Sequence, residues 1–291
     1  MTPQVLSPCV GVCAIDQPTG WCLGCGRTSE EIASWQTMGA TAQHLCWDEL
    51  PTRLDTLSVR VRLLPWTVDE IGVWVAETLA KEHGTWVTGV PGAVAEFPCG
   101  PRYVEGTEQT PKAVLGFAHK ASFRLHLHEK LRAFSFGADQ PVVLGVPKTR
   151  VKFPVAEALT ALGEDNAAID AQFRGDALFD FGLGRESSRF CVRTNDPDLR
   201  EALDRQCGKG WPEAMGGIGP LLVSHGPHRV VESMAVRIEV CAPIPAPGTV
   251  TPPGAHTHFL PQFMTPGEEG PAGLTLPDYA LPMAIYYPKT K

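Results

Sequence analysis

The chain has 291 residues, of which 43% are apolar and 20% charged, with nine cysteines and a formal net charge of −7. That length exceeds one ordinary core and that composition excludes a disordered chain, so a small unit beside a large one is expected. The acidic balance argues against a nucleic acid or an acidic membrane as a general partner, because counterion release needs clustered Lys and Arg.

The start, MTPQVLSPCVGV, has no basic residue and no apolar stretch before a small-residue cleavage site, so a cytoplasmic location is expected. Under reducing conditions the cysteines are then thiols or metal ligands rather than disulfides. Cys9 and Cys13 form one pair and Cys22 and Cys25 a second, with Gly11, Gly24 and Gly26 beside them. Each pair lets a tight turn aim two sulfurs at one point, so one tetrathiolate metal centre is predicted on Cys9, Cys13, Cys22 and Cys25. Four soft thiolates suit Zn²⁺ or an iron–sulfur cluster. The Cys-x-x-Cys-Gly turn and the Cys-x3-Cys spacing favour zinc, and the closely successive cysteines of ferredoxins are absent. Four ligands from one loop close the coordination sphere, which points to a structural metal. Cys46, Cys99, Cys191, Cys207 and Cys241 are scattered and read as core thiols.

The stretch Ser7-Pro8-Cys9-Val10-Gly11-Val12-Cys13, then Gly20-Trp21-Cys22-Leu23-Gly24-Cys25-Gly26-Arg27-Thr28, then Glu31-Ile32 and Trp35, resembles the small bacterial family catalogued as domain of unknown function 1289. Members of that family are labelled predicted iron–sulfur proteins, so the resemblance implies a cluster where the spacing favours zinc.

Thr28 and Glu31 make a capping box that starts a helix directly after Cys25, with Ile32, Trp35 and Met38 on one face. A second helix is predicted over Ala42 to Leu50, with Pro51 opening one further turn. The metal-binding module is expected to span residues 1–60 and an α+β domain of mostly antiparallel sheet residues 61–291.

In the larger part, Thr67 and Glu70 cap a helix bearing Ile71, Trp74, Val75 and Leu79. Further helices are predicted on Val155, Leu159 and Leu162, and after Asp196-Pro197 on Leu199 and Leu203. Strands are predicted over 85–90, 113–127, 131–136, 142–146, 179–194 and 230–240. Arg124, His126, His128, Lys130 and Arg132 alternate with apolar residues, so one face of this strand or hairpin is basic and suits an anionic small molecule or an acidic protein surface.

Residues 240–267 form a proline-rich arm, whose prolines forbid a membrane helix. It carries His256 and His258, which with Arg124, His126 and His128 are the candidate catalytic residues. No phosphate loop, dinucleotide fingerprint or nucleophile elbow is present. The sequence therefore supports a metal-binding assembly factor with a protein partner; alternatives are an enzyme whose site lies between the basic face and the histidine loop, or a redox protein.

Overall fold

A computed structural model of the chain describes residues 5–11, 14–81, 83–137, 140–148, 153–245 and 253–289. Helices α1 (Ser29–Ser34) and α2 (Ala40–Thr56) come first, then strand β1 (Arg62–Leu63) and helix α3 (Val68–Lys81). The hairpins β2 (Gly84–Val90) with β3 (Ala93–Pro98), and β4 (Val104–Gln109) with β5 (Ala113–Ala118), follow. Next are β6 (Ala121–His126), β7 (Arg132–Ser135), β8 (Val142–Pro147), β9 (Thr160–Glu164), β10 (Ala177–Asp180) and β11 (Ser188–Thr194). The chain ends with α4 (Pro197–Gln206), α5 (Trp211–His225), β12 (His228–Ser233), β13 (Val236–Val240), β14 (His256–Phe259) and β15 (Ala280–Pro288).

Among the described residues the strands form two antiparallel sheets, in the orders β1-β7-β8-β15-β2-β3-β14 and β4-β5-β6-β13-β12-β11-β10-β9. The sheets face each other, with β11, β12 and β13 against β2 and β3. Strand alternation drives this arrangement: Trp86, Ala95, Phe97, Phe123, Leu125, Val231 and Ile238 point inward and are buried. Helix α3 lays Ile71, Val75 and Leu79 into the same core and packs on β4 and β5. The protein is thus α+β.

Both capping boxes form. Thr28 accepts from the backbone N–H of Glu31 while Glu31 takes the Thr28 N–H at 2.7 Å, and Thr67 and Glu70 repeat the exchange at 3.2 and 2.7 Å. Asp196 caps α4 through the Leu199 N–H at 2.8 Å.

Other expectations are corrected. The second helix is one unbroken element through Pro51, because Gln43, Cys46, Leu50 and Leu54 share a buried stripe that holds it beyond the proline. Residues 155–163 form no helix: of the three predicted helical apolar residues only Leu159 is buried, and Thr160–Glu164 joins the sheet edge beside β10. The basic run 124–132, read as one face of a strand or hairpin, is divided between the sheets: the chain leaves β6 after His126 and enters the other sheet at Arg132. His256-Thr257-His258, expected in a loop, is strand β14, the free edge of its sheet beyond β3. Residues 246–252 of the arm lie outside the described residues.

The amino-terminal helices have a small core of Trp35, Cys46, Leu50 and Leu54. Val10, Leu6 and Trp47 extend it onto Leu63, Phe134, Val143, Tyr279 and Ile285 of the large unit. Trp47 touches both groups and donates its indole N–H to the Leu6 carbonyl at 2.8 Å. Trp47 and Trp21 are half-buried.

Candidate functional site: two groups of metal-ligand side chains

The first group is the cysteine loop. Isolated bridges Ile15–Cys22 and Trp21–Thr28 bring its two arms together. The Cys22 N–H donates to the Arg27 carbonyl at 2.7 Å, and the Gly26 N–H returns to the Cys22 carbonyl at 2.8 Å. Gly26 has φ +75°, and a Cβ there would lie 3.3 Å from Leu54, so a side chain would be strained and crowded against α2. This turn carries Cys22 and Cys25, both buried.

Donors point at sulfur: the Arg27 Nε–H at Cys25 Sγ and the Gly11 N–H at Cys9 Sγ, each at 3.4 Å. Burial raises the pKa of the Cys25 thiol, and the Arg27 guanidinium opposes that rise. Arg27 is itself only 3% exposed and stacks on Trp35 at 4.8 Å. A buried guanidinium beside a thiol, which among the described residues has no carboxylate within ion-pair distance, is the setting in which a thiolate ligand is stabilised. In donor chemistry the described cysteines therefore fit a thiolate metal centre.

Cys9 is exposed, and the described cysteines do not form a group of three whose sulfurs all lie within 4.8 Å of one another. Cys13 lies outside the described residues.

The second group is on the sandwich. In the β3–β14 register His256 stands opposite Glu96 and His258 opposite Val94, while Thr257 stands opposite Ala95. Ala95 faces the core, and Thr257 Oγ1 accepts from Arg229 Nε at 3.3 Å. Alternation therefore sends Glu96, His256 and His258 together to the outer face. His256 Nε2 lies 2.9 Å from His258 Nε2 and 3.6 Å from Glu96 Oε2, and His258 Nε2 lies 3.4 Å from Glu96 Oε1. His256 lines a cavity of about 600 Å³ with Arg102, Tyr103, Lys120 and Arg229. His256 and Glu96 also line a second cavity of about 560 Å³ with His83, Cys99 and Tyr287.

The other candidate residues sit elsewhere. Arg124 and His126 lie on β6, on the outer face of the opposite sheet from His256 and His258, with the shared core between. Arg124 is half-buried and donates to the Ala167 carbonyl at 2.7 Å. His128 is in the turn after β6, where burial and Arg132 lower its pKa. The site expected between the basic face and the histidine loop is therefore not assembled. His225 pairs with Asp196 at 3.2 Å, while His228 faces Arg193 at 3.2 Å, so these two histidines have separate partners.

Sequence reasoning missed Glu96, whose strand carries no motif. It also missed the buried charge network on the outer face of the second sheet. There Arg237 meets Glu239 at 2.6 Å, Glu232 at 2.8 Å and also Asp165, while Arg193 meets Asp165 at 3.0 Å and Glu239 at 2.8 Å.

A two-sheet α+β domain carrying a cysteine-rich helical module is the class that fold and site define. Residues 70–290 match the family described as "Family of unknown function (DUF6925)", and the chain belongs to it. Residues 7–54 match "Protein of unknown function (DUF1289)", in agreement with the resemblance carried by the cysteine motif. No curated protein and no solved structure matches the chain.

Proposed function

We propose that the amino-terminal module is a structural tetrathiolate centre on Cys9, Cys13, Cys22 and Cys25. The observation that carries this reading is the Cys22–Gly26 turn, in which two buried cysteines sit on a glycine-closed loop with a guanidinium on one sulfur. The spacing favours zinc. The exposed Cys9, on the short segment before the loop, would be drawn in when the ion binds, and the ion would replace the core that so small a module lacks.

The module's apolar side already meets its own chain at Phe134 and Tyr279. A separate protein partner, the assembly-factor reading, would be met by the exposed Leu23, Ile32 and Leu45. Elemental analysis and inspection of the purified protein test the metal assignment. Colourless protein with zinc on the cysteine module supports it. A brown solution bleached by dithionite assigns an iron–sulfur cluster instead, and cysteines that hold no metal refute the centre.

A further inference from the structure

We infer that Glu96, His256 and His258 form a second, independent metal site, a three-ligand site for a divalent first-row transition ion at the free edge of the β3–β14 ladder. Three observations carry it.

The distances match a shared ion. Ligands about 2.0–2.2 Å from one metal lie about 3.0 Å apart at octahedral right angles and about 3.4 Å apart in a tetrahedron. Here the two ring nitrogens are 2.9 Å apart, and Glu96 turns both carboxylate oxygens toward them, Oε1 at 3.4 Å from His258 Nε2 and Oε2 at 3.6 Å from His256 Nε2. Direct hydrogen bonding accounts for the 2.9 Å contact but less well for the other two. The two carboxylate distances are long for an N–H···O bond, and the two ring nitrogens face each other with room for one proton between them.

The tautomer is also set. His256 Nδ1 lies 2.9 Å from the Gly254 carbonyl oxygen, which can only accept, so Nδ1 carries the proton and the Nε2 lone pair points into the group. Metal-bound imidazoles are oriented in this way, the far nitrogen donating to a backbone carbonyl.

The backbone holds the ligands as well. All three lie on paired strands, His256 directly opposite Glu96, so the group is placed by sheet register. Two imidazoles and one carboxylate suit zinc, iron, cobalt or nickel rather than calcium or magnesium, which take oxygen ligands. Three protein ligands leave coordination positions open, unlike the closed sphere of four thiolates. His256 and Glu96 border the cavity that also holds Tyr287 and Tyr103, which gives a small molecule access to those positions.

The test is metal stoichiometry on the full chain. Wild type, Glu96→Gln and the His256→Ala/His258→Ala double variant would be stripped of metal, refilled with Zn²⁺ or Co²⁺ and dialysed. Wild type is expected to retain one more equivalent than either variant, and all three to keep the intense near-ultraviolet absorption of thiolate-bound Co²⁺. That absorption reads the cysteine module separately, so failure of one site does not obscure the other. Melting curves within a few degrees of one another are expected, since the three side chains are partly exposed at an edge. Equal stoichiometry in all three proteins would overturn the site and leave a hydrogen-bonded histidine pair. Should the double variant fail to fold, Glu96→Gln decides alone: loss of the equivalent supports the site and its retention overturns it.

Discussion

Arg53 holds Glu31 in a two-pronged ion pair, Nη1 to Oε2 at 2.7 Å and Nη2 to Oε1 at 3.1 Å, and so ties α2 to the capping box that begins α1. The same guanidinium donates to the Gly26 carbonyl at 3.3 Å, reaching the cysteine turn. Arg53 and the Thr28 backbone lower the Glu31 pKa against the effect of burial. Glu31→Gln should therefore cost about 1–3 kcal/mol, since charge-assisted bonds are lost in a group with side chains only 13% and 21% exposed. Chemical denaturation followed by Trp fluorescence measures this, and a change under a few tenths would show that the pair does not hold the module.

Removing one member of the buried charge network should be severe. Arg237 is 2% exposed and neutralises Asp165, Glu232 and Glu239. Arg237→Met leaves those carboxylates short of a cation and should cost about 3–5 kcal/mol in urea unfolding. A variant of near wild-type stability would mean that the network is dispensable.

Acid should weaken the fold in part through His228. Burial, with Arg193 and Arg229 adding to it, lowers its pKa to about 4. The unfolded value is about 6.5, so between the two the unfolded chain binds the extra proton. His228 thus favours the folded state fully above about pH 6.5, and this contribution is lost as the pH falls toward 4. His228→Phe, which keeps a ring against Phe173, should flatten the loss of stability over that window. Melting temperatures from pH 7 to 4 check it, and an unchanged slope would exclude His228.

No tight complex with random DNA or RNA is expected. Arg124 is engaged with a backbone carbonyl, and the basic run is divided between two sheets. Salt-sensitive micromolar binding in a polarisation assay would contradict this.

Local signals were readable in the sequence. The capping boxes at Thr28 and Thr67 and the Asp196-Pro197 start are decided within a few residues, and all three helices begin where those residues place them. Signals that depend on distant partners were not. Val155, Leu159 and Leu162 have helical spacing, yet β10 offers a free edge and the segment pairs with it. His256 and His258 lie among prolines that speak for a loop, and only the β3 edge makes them a strand. Glu96 becomes a neighbour of His256 through that pairing alone, which no local pattern encodes. Helix α5 begins at Trp211-Pro212 after Gly210, with Gly and Pro inside it, a composition that argues against a helix until Ala214, Ile218 and Leu222 are buried.

The most direct measurement of the central claim is the metal content of Cys22→Ser and Cys25→Ser in the full chain, read together with limited proteolysis. Each variant should lose the thiolate-bound metal, and residues 1–60 should become protease-sensitive while the two-sheet domain survives, because burial of Trp35, Leu50 and Leu54 alone makes a small core. Full retention of thiolate-bound metal in both variants, with the amino-terminal module still resistant, would contradict the tetrathiolate centre.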